Sequence, residues 1–365
     1  MSEADELGKI RDRIDAIDKQ IHELLNQRAD AAMEVARIKL AADPNAVFYR
    51  PEREAQVLRK VKERNQGPLD DEEVARLFRE IMSACLALEN PLRVAFLGPA
   101  GTFTQAAALK HFGHSVRTEP MSSISDVFQE VETEAADYGV VPVENSTEGV
   151  VNHTLDMFLK SPLQICGEVS LRIHHNLLGK GLGNDQPLQG LKVVYSHQQS
   201  LAQCRSWLDR HLPFVERVAV GSNAEAAKLA AESDNAAAIA SSMAAELYGL
   251  DTLAANIEDE PGNTTRFLVI GRHGTMPSGD DKTSLLLSTR NEAGGLYHML
   301  KPLSDHGISM SRIESRPSRR GNWDYVFFID LNGHREDANL AQALEELRGT
   351  AGMYKELGSY PQAVL

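Results

Sequence analysis

Three polar residues stand where an acidic, glycine-containing stretch gives way to an apolar run. The stretch "EDEPGNTTRFLVIG" places Thr264, Thr265 and Arg266 directly before residues 267–270, which are typical of a buried strand. Turn chemistry alone explains this join, because glycine and asparagine favour turns and threonine suits the start of a strand. The same three side chains can also donate hydrogen bonds to a ligand at the end of that strand.

Other polar side chains of the same segment follow strand ends. "GPAGTF" (98–103) lies between a strand and a helix, where amide N–H groups can bind an anion. It lacks the GK[ST] of a P-loop and is not GxGxxG, so it implies neither a nucleotide nor NAD. Asn145 follows a strand in "VPVENSTEG", Ser196 ends a strand in "SHQQSLAQCRSWL", and Gln203 lies on the next helix. Capping or turn formation explains each of them equally well.

Basic residues interrupt the apolar spacing of the N-terminal segment. Arg28 falls where three- and four-residue steps call for an apolar residue, and Lys39 lies only about 20° from it around the helix axis. Arg11 is about 100° from Arg28 and faces a different neighbour. This spacing fits a solvated helix with scattered charges, but a cation in an apolar seam is costly unless an anion pairs with it. Further residues that can line the same pocket are Arg53, Glu54 and Glu89.

The segment that carries these cations reads as helix only. Residues 9–43 place apolar residues at three- and four-residue steps without glycine or proline, which predicts a helix roughly 50 Å long. Pro51 suits the first turn of a second helix that ends near residues 65–68, and a third helix ends at residues 90–91. One long helix and two shorter ones cannot enclose a core, so we expect a homodimer with interleaved helices.

Residues 93–271 alternate between short apolar strands and helices. The strand candidates are "RVAFLG", "DYGVVPV", "LKVVYS", "AAAIAS" and "TRFLVIG", and helices begin near residues 103, 197 and 224. This alternation predicts an α/β domain whose length allows two lobes with a cleft between them. The loops at the strand ends are then available for a site.

The C-terminal segment has the order strand, helix, strand, strand, helix, strand, which is the ferredoxin-like arrangement. Its elements are "TSLLLS", residues 295–305, "SMSRIES", "WDYVFFIDLNG", residues 339–348 and "MYKELGSYP", and "GTMPSGDDK" before them reads as a linker. Gly294 and Gly295 start the first helix with free backbone N–H groups. Glu314, Ser315 and Arg316 end a strand before Pro317.

Charge and composition narrow the classes of function. The net charge of −14 argues against a nucleic acid or an anionic membrane as the main partner. The cysteines at positions 85, 166 and 204 are too few and too scattered for a disulfide framework or a CxxC metal site. No apolar run approaches about 18 residues and the N-terminus lacks a signal-peptide pattern, so we expect a cytoplasmic protein without metal. We expect three histidines to be structural, namely His174, His175 and His197.

Residues 4–90 resemble the all-helical chorismate mutase domain. The substrate-binding positions of that family are occupied here by Arg11, Arg28, Lys39, Arg53 and Glu54. The resemblance implies that Arg28 and an Arg11 reaching across from the partner subunit bind the carboxylates. It also implies that Lys39 and Glu89 face the ether oxygen and that Glu54 binds the ring hydroxyl. The rearrangement of chorismate needs no cofactor, only a dianion held folded and stabilisation of charge on the ether oxygen.

Two residues depart from the best-known enteric pattern of that family. Glu89 stands where a glutamine is found there, and Arg50 falls at or near a carboxylate position. An ionised Glu89 cannot donate a hydrogen bond, so it must act in its protonated form. We therefore expect mutase activity to weaken as pH rises through a raised pKa of Glu89.

Residues 93–271 resemble the prephenate dehydratase domain, on the strength of the four polar motifs quoted above taken in order. That family's fold is of the two-lobed, periplasmic-binding-protein type. The resemblance implies that Thr265 donates a hydrogen bond to the leaving hydroxyl of prephenate, which is a poor leaving group without a donor. It also implies that Asn145, Ser196 and Gln203 orient the substrate. From the chemistry, we expect Arg266 and the "GPAGT" amides to bind the remaining carboxylate.

The C-terminal segment resembles the ACT regulatory domain attached to prephenate dehydratases. Its two motifs, which form a phenylalanine site between paired subunits in that family, are Gly294, Gly295 and Leu296, and Glu314, Ser315, Arg316 and Pro317. The resemblance implies inhibition by L-phenylalanine, which requires the amino acid to bind one conformational state better than another.

Together the three resemblances predict helical (1–91), α/β (92–272) and ferredoxin-like (283–365) domains in one homo-oligomeric enzyme. The enzyme would convert chorismate to prephenate and then to phenylpyruvate, without a cofactor. Two alternatives stay open. The chain could be a non-catalytic amino-acid sensor, or arogenate could replace prephenate, since the two differ only by an amino group for a ketone. The attached mutase domain, which makes prephenate, favours prephenate.

Overall fold

The N-terminal segment consists of three helices. The structure, a computed structural model, describes residues 3–44, 46–181, 188–289, 293–317 and 325–365. The helices are α1 (Glu3–Ala42), α2 (Pro51–Arg64) and α3 (Asp71–Glu89). Acidic residues in the first turn of α1 complement its helix dipole, and Pro51 suits the first turn of α2 because its missing N–H needs no partner there. The three predicted helices are confirmed.

Helix α1 is long and packs against little of its own chain. Its 40 residues span about 60 Å, and it packs against α3. Among its described residues only Ala36 is buried. Large apolar side chains lie exposed along it, with Ile10 at 55%, Leu24 at 62% and Ile38 at 64% exposure. The chain by itself therefore leaves the apolar face of α1 uncovered.

The first lobe of the α/β domain follows. Its elements are β1 (Arg93–Leu97), α4 (Phe103–Phe112), β2 (Arg117–Met121), α5 (Ile124–Glu132), β3 (Tyr138–Asn145), β4 (Gly149–Val150), α6 (Asn152–Phe158) and β5 (Gln164–Arg172). Helix α5 starts where the Ser123 hydroxyl accepts from the amide of Asp126, which satisfies one of the free N–H groups of the first turn.

The second lobe is built before the chain returns to the first. Its elements are β6 (Asn176–Gly179), β7 (Val193–His197), α7 (Gln198–Gln203), α8 (Arg205–His211), β8 (Glu216–Val220), α9 (Asn223–Ala231), β9 (Ala236–Ala240), α10 (Ser242–Tyr248) and β10 (Asp251–Ala254). Its sheet has the order β10-β6-β9-β7-β8. Alanines of β9, α9 and α10 let the helices approach the sheet closely.

Strand β11 (Thr264–Gly271) closes the first lobe, whose sheet has the order β2-β1-β3-β11-β5 with β4 beside β3. The chain thus crosses between the lobes twice, through residues 173–175 and residues 255–263. The predicted two-lobed α/β architecture of the periplasmic-binding-protein type is confirmed. Both crossings lie beside the cleft between the lobes, so residues distant in sequence meet there.

The C-terminal domain comprises β12 (Asp281–Ser288), α11 (Gly295–Asp305), β13 (Met310–Pro317), β14 (Tyr325–Asn332), α12 (Ala338–Thr350) and β15 (Met353–Pro361). Its antiparallel sheet has the order β13-β14-β12-β15, which confirms the ferredoxin-like arrangement. The third strand was predicted from Trp323; Trp323 and Asp324 lie outside the described residues.

The C-terminal sheet is covered on both faces. Helices α11 and α12 cover one face around Leu285 and Leu287. The other face packs on the first lobe, where Leu286 and Phe328 share one apolar cluster with Ile165. Strand β15 approaches β5 so closely that a Cβ atom on Gly358 would lie 2.2 Å from the Ile165 carbonyl oxygen, and its φ of 147° also favours glycine. The two domains therefore form a continuous core.

The predicted linker at residues 274–282 is packed rather than free, which corrects that expectation. Thr275 and Ser278 are buried. The Thr275 hydroxyl donates to the Ser359 carbonyl, and the Ser278 hydroxyl donates to Asp281. Asp281 and Lys282 already belong to β12. Short polar side chains can satisfy buried backbone groups in this way, so turn-forming composition did not mean exposure.

The mutase-like helices dock on the first lobe. The ring of Tyr49 lies 5.1 Å from that of Phe112 and 5.2 Å from that of Tyr138. Arg79 on α3 donates to the carbonyl of Lys110 at 3.0 Å and to that of His111. A Cβ atom on Gly113, which has a φ of 75°, would lie 2.5 Å from the Ser83 Cβ. These contacts attach α3 and the segment before α2 to the end of α4.

Candidate active sites

A cleft of about 460 Å³ opens between the two lobes. Strands β3 and β11 of the first lobe, α7 of the second lobe and both crossing segments form its walls. Its polar lining comprises Thr104, Asn145, Glu148, His175, His197, Gln199, Ser200, Gln203, Asn223, Asn263 and Thr265. Of the residues predicted for the dehydratase site, the structure brings Asn145, Gln203 and Thr265 to this cleft.

The Thr265 hydroxyl already accepts one hydrogen bond and still has its own hydrogen to donate. Its partner across the sheet is Asn145, whose side-chain N–H donates to the Thr265 Oγ1 at 2.8 Å. Thr265 is only 9% exposed. Among the described residues nothing accepts the hydroxyl hydrogen of Thr265. Because the oxygen already accepts from Asn145, that hydrogen is available to a ligand in the cleft.

The orientation of the Asn145 amide is fixed by its neighbours. Its oxygen accepts from the Thr147 amide at 3.0 Å and the Thr147 hydroxyl at 2.6 Å, and from the Glu148 amide at 3.0 Å. Its nitrogen also donates to the Asn263 Oδ1 at 2.7 Å. The nitrogen of Asn145 therefore points at Thr265.

A chain of hydrogen bonds continues from Asn263 across to the second lobe. The Asn263 nitrogen donates to the Gln203 Oε1 at 3.2 Å, and the His175 Nε2 lies 2.8 Å from the same oxygen. The Gln203 nitrogen donates to the Thr147 hydroxyl and to the Glu148 carboxylate. Gln203 thus links the lobes through side chains of both crossing segments.

Sequence reasoning missed two residues of this hydrogen-bonded network, Asn263 and His175. Asn263 was read as a turn former, and His175 was expected to be structural. His175 is 2% exposed and lines the cleft; burial lowers its pKa, so its imidazole is neutral. The position of Asn263 directly before the two threonines was the one available signal. His197 caps α7 as expected and also lines the cleft.

Ser196 does not reach the cleft, which corrects its predicted role as a substrate ligand. It is fully buried, and its hydroxyl lies 2.9 Å from both the Asn223 Oδ1 and the Ile239 carbonyl. Asn223, at the start of α9, lines the cleft in its place. Ser196 therefore holds Asn223, which faces any ligand.

Arg266 does not line the cleft either, and its expected contact with the substrate carboxylate is corrected. Successive residues of a strand point to opposite faces of the sheet, so Arg266 points away from Thr265. Its guanidinium donates to Glu168 at 2.8 Å and to Asp330 at 2.5 Å. The side chain is committed to the contact with the C-terminal domain.

The "GPAGT" loop faces a neighbouring cavity of about 340 Å³. This cavity shares Phe103, Thr104, His197 and Asn223 with the cleft, so the two are continuous. The start of α4 and the start of α9 both border it. The amide of Gly101 already donates to the Gln105 side chain at 2.7 Å. The loop therefore lies beside the cleft, and its binding of a carboxylate stays a prediction.

In the helical segment the structure brings three predicted residues together. Arg28 and Lys39 both act electrostatically on Glu89 at the end of α3. Burial raises the pKa of Glu89 above its ordinary value, against the opposing effect of the two cations. The Lys39 ammonium is 3.3 Å from the Val47 carbonyl. The two cations and the carboxyl group face one another at one end of the α1–α3 pair.

Three predicted mutase residues lie elsewhere. The Glu54 carboxylate lies 3.4 Å from the guanidinium of Arg79 on α3, so it has an arginine partner in place of the expected ring hydroxyl. Its pKa is raised by burial, with Arg79 opposing. Arg53 is exposed on α2, and Arg11 is exposed on α1. Glu54 thus lies on the side of α2 that packs against α3.

The end of β13 and the end of β12 that leads to α11 lie at the same end of the C-terminal sheet, because Arg316 and Ser288 both pair with Val326. Gly294 has a φ of 78° and caps α11, which begins at Gly295. Residues 314–317 end β13, an edge strand of the sheet. Ser315 and Pro317 are exposed, while the Arg316 guanidinium lies 3.0 Å from Asp156 on α6 of the first lobe. Arg316 therefore joins the two domains.

Two kinds of feature, a metal-holding cluster and a membrane-spanning helix, are absent from the described part of the chain. No group of three or more His, Cys, Asp or Glu side chains in it is placed to hold a metal ion. No helix in that part is long and apolar enough to cross a membrane.

Known proteins match the chain over its three segments. Family models match as chorismate mutase type II over residues 10–90, prephenate dehydratase over residues 94–275 and ACT domain over residues 283–349. A bifunctional chorismate mutase/prephenate dehydratase of Stutzerimonas stutzeri is 59% identical over 100% of both chains.

Two solved structures are similar over 74% of this chain. The prephenate dehydratase of Arthrobacter aurescens, solved in complex with L-Phe, is 34% identical with a TM-score of 0.67 over 90% of its chain. GqqA, described as a novel type of quorum quenching acylase, is 30% identical with a TM-score of 0.68 over 98% of its chain. The full-length relative and the three matched segments agree in order and extent. The chain therefore belongs to the bifunctional chorismate mutase/prephenate dehydratase family, and it is an enzyme of phenylalanine biosynthesis with both activities and a C-terminal ACT domain.

Proposed function

We propose that the cleft between the lobes performs the dehydratase reaction, with Thr265 as the hydrogen-bond donor to the leaving hydroxyl of prephenate. One observation carries this assignment. The Asn145 amide donates to the Thr265 Oγ1 at 2.8 Å, which leaves the hydroxyl hydrogen of Thr265 directed to a ligand. A threonine held in this way has its hydrogen free to serve as a donor.

The chemistry explains why one donor matters. The bond between the ring and its carboxylate breaks to release CO₂, and its electron pair completes the aromatic ring. The C4–O bond breaks with its electron pair on oxygen, and the departing hydroxide takes up one proton from solvent to become water. Negative charge grows on that oxygen, and a fixed donor in a site with little water stabilises it. Threonine is a very weak acid, so Thr265 stabilises this charge by a hydrogen bond rather than by full proton transfer.

The other cleft residues bind and orient the substrate. Asn145 and Gln203 are held in single orientations by the hydrogen-bond chain through Asn263 and His175. The amides at the start of α4, together with Asn223, suit the carboxylate that prephenate retains, because the first N–H groups of a helix are unpaired. Ser196 contributes indirectly, by holding Asn223.

We assign prephenate, rather than arogenate, as the substrate of the cleft. The mutase helices of the same chain release prephenate, and the two molecules differ only by an amino group for a ketone. A dehydratase joined to its supplier receives the keto acid before any amino group can be added.

The rearrangement of chorismate is assigned to Arg28, Lys39 and Glu89 of one chain with Arg11 of a second copy. Arg11 precedes Arg28 by 17 residues on the same helix, so about 25 Å of helix separates them. An arginine side chain cannot span that distance to the cluster of its own chain. A second copy aligned along α1 can supply Arg11 to it. Arg53, exposed on α2, is assigned to the same site.

A homodimer follows from the same helix. Exposed isoleucines and leucines along most of α1 form an apolar surface that water does not favour. The matching face of a second α1 is its natural cover. An interleaved pair would bury both faces and complete two mutase sites at once.

L-Phenylalanine is assigned to the ACT motifs of paired subunits, namely residues 294–296 and residues 314–317. The outer edge of β13 has no neighbouring strand among the described residues, so it is open to a second ACT domain. The Arthrobacter aurescens relative was solved with L-Phe bound. We place the domain boundaries at residues 1–91, 92–272 and 283–365.

We assign the protein to the cytoplasm. All three cysteines are free and buried, as suits a reducing compartment. Neither proposed reaction needs a cofactor, since both redistribute electrons within one molecule.

A chorismate time course tests these assignments together. We expect purified protein to consume chorismate and release phenylpyruvate, and added L-phenylalanine to suppress the second product. Thr265→Val should keep chorismate loss but accumulate prephenate, with dehydratase turnover lowered about 10²–10³-fold. Thr265→Ser, which keeps the hydroxyl, is the matched control and should retain most of the turnover. Near-normal phenylpyruvate formation by a folded Thr265→Val enzyme would overturn the role of Thr265.

A further inference from the structure

Two neighbouring strands each place one residue in the cleft and the next in the contact with the ACT domain. On β11 Thr265 faces the cleft and Arg266 faces the ACT sheet. On β3 Asn145 faces the cleft, and Glu144 contacts Arg312 of the ACT domain at 3.0 Å. The two strands pair as Thr265 with Asn145 and as Arg266 with Glu144. The residues that hold the proposed donor are therefore bonded directly to residues that touch the other domain.

Arg266 makes its contacts with three different strands. Its guanidinium lies 2.8 Å from Glu168 on β5, 2.5 Å from Asp330 on β14 and 3.1 Å from the Tyr360 hydroxyl on β15. The side chains of Arg266, Glu168 and Asp330 are 16%, 7% and 7% exposed. Each nitrogen of the guanidinium has a partner, so its position is fixed by geometry as well as by charge.

The charges in this contact balance within the buried region. The Lys282 ammonium lies 2.8 Å from Glu168, so two cations face two carboxylates. Burial opposes the ionised form of Asp330, but Arg266 and the hydroxyl of Ser284 together lower the pKa of that carboxyl. Asp330 is therefore ionised under ordinary conditions and holds Arg266 from the ACT side.

The sheet is irregular at this point. The register between β11 and β3 shifts between Arg266 and Phe267, so the strands do not pair one to one there. The unpaired residue is Val143 of β3, next to Glu144. Thr265 and Arg266 are adjacent on β11, so a displacement of Arg266 reaches Thr265 through a single peptide unit.

We infer that Arg266 is a positioning residue of the dehydratase site, which, anchored by Asp330 of the ACT sheet, holds the Thr265 hydroxyl against Asn145. This inference rests on the proposed role of Thr265. Arg266 touches no substrate in this arrangement. It acts through the backbone of β11, and its partner lies in the regulatory domain.

The experiment compares dehydratase kinetics of Asp330→Asn and Arg266→Lys with the parent enzyme. Asp330→Asn keeps the shape of the side chain and removes the charge that anchors Arg266. We expect kcat to fall about 10-fold or more while KM changes by less than about threefold, because a misplaced donor affects the transition state more than binding. Mutase turnover of the same samples should be unchanged, which shows that the protein is folded.

Asp281→Asn is the matched control, because Asp281 is also a buried aspartate of the ACT sheet but bonds only to Ser278 and Gly279 through its side chain. It should lower the melting temperature without lowering kcat of the folded enzyme. If Asp330→Asn and Arg266→Lys both kept the parent kcat, Arg266 would be a purely structural residue and the inference would be wrong. A rise in KM for Arg266→Lys with no effect of Asp330→Asn would instead make Arg266 a substrate ligand, and would also overturn it.

A double substitution separates this inference from the proposed function. If Asp330 acts through Thr265, adding Asp330→Asn to Thr265→Val should cause little further loss of kcat. An additional loss of about 10-fold would show that Asp330 acts by another route. Near-normal turnover of Thr265→Val alone would reject the proposed function itself. Loss in Thr265→Val but not in Asp330→Asn would reject the positioning role only.

Discussion

The hydroxyl of Thr265 illustrates how a weak acid is given one chemical role. Its oxygen accepts from Asn145, and Asn145 is oriented by three hydrogen bonds to its own oxygen. The oxygen of Thr265 already accepts from Asn145, and no described residue accepts its hydrogen, so that hydrogen is free for a ligand. This availability comes from the orientation of the Asn145 amide, not from a changed acidity of the threonine.

Glu89 provides a prediction at the scale of a single residue. Only the protonated carboxyl can donate a hydrogen bond to an ether oxygen, and burial raises the pKa of Glu89. Mutase kcat should therefore fall as pH rises through that pKa, approaching about tenfold per pH unit above it. Glu89→Gln, a donor at every pH, should flatten the profile. The measurement is the mutase rate from pH 5 to 9, at saturating chorismate.

The dehydratase profile of the same two proteins is the control, since Glu89 lies in the helical segment. It should be identical for both. A mutase profile that Glu89→Gln leaves unchanged would remove Glu89 from the proposed role.

At the scale of elements, the first lobe serves as a shared support. One face of its sheet packs against the ACT sheet, and the other packs with α4, on which the mutase helices dock. The buried junction on α4 contains His111, whose Nε2 lies 3.0 Å from the Tyr49 hydroxyl. Helix α4 also starts at the cleft loop, so one short helix contacts both the mutase segment and the dehydratase site.

His111 gives this junction a pH-dependent stability. Burial, aided by the charge of Arg79, lowers the pKa of His111 to about 3. Between that value and the ordinary pKa near 6.5 the unfolded chain binds a proton that the folded chain does not. The contribution of His111 to the free energy of unfolding is therefore fully present above about pH 6.5. It falls as pH falls, by at most about 1.4 kcal/mol per pH unit. His111→Gln, which can still accept from Tyr49, should remove that dependence.

The measurement is the free energy of unfolding of the parent and His111→Gln proteins at pH 7, 6 and 5. The difference between them should shrink as pH falls. His211→Gln, at an exposed position, is the control and should follow the parent at each pH. A constant difference between the parent and His111→Gln would contradict the buried, neutral state of His111.

At the scale of the whole molecule, the proposed arrangement makes all three sites depend on contacts beyond a single domain. In it the mutase cluster takes Arg11 from a second copy, the dehydratase strands are anchored in the ACT sheet, and the ACT edge strand pairs with a partner. The ion pair between Arg316 and Asp156 adds a further link between the ACT motif and the first lobe. Dimer formation and catalysis are thus expected to be coupled.

Hybrid dimers test the shared mutase site. We expect Arg11→Ala and Lys39→Ala each to abolish mutase activity alone. A hybrid dimer with one subunit of each kind contains one site with both lesions and one with none, so it should recover about half of the parent activity. The measurement is mutase turnover of hybrids purified through two different affinity tags, with dehydratase turnover as the control for folding.

A hybrid as inactive as its parents would show that Arg11 and Lys39 act within one chain. In that case the interleaved arrangement along α1 would have to be abandoned. A homodimer of subunits that carry both substitutions provides the background activity.

The sequence by itself determined the order and type of the main elements. Hydrophobic spacing is local, so α1, α2 and α3 and the strands "RVAFLG" and "TRFLVIG" could be read directly. Strands β2, β4, β5, β6, β8 and β10 were missed. Two of them, "RTEPM" (β2) and "ERVAV" (β8), are partly exposed and lack a continuous apolar run. Strand β5, "QICGEVSLR", is largely buried, but a glycine and a glutamate interrupt its apolar run. Alternation along β11 could also have told that Thr265 and Arg266 do not share a face.

Only the tertiary structure decided which residues meet. Asn145 and Thr265 are 120 residues apart, and Asn263 and His175 come together because the chain crosses twice between the lobes. The ACT sheet, not a substrate, occupies the side of β11 to which Arg266 points. Arg79 of α3 likewise lies opposite Glu54. Residue types and local spacing fix what a side chain can do, but long-range packing fixes what lies opposite it.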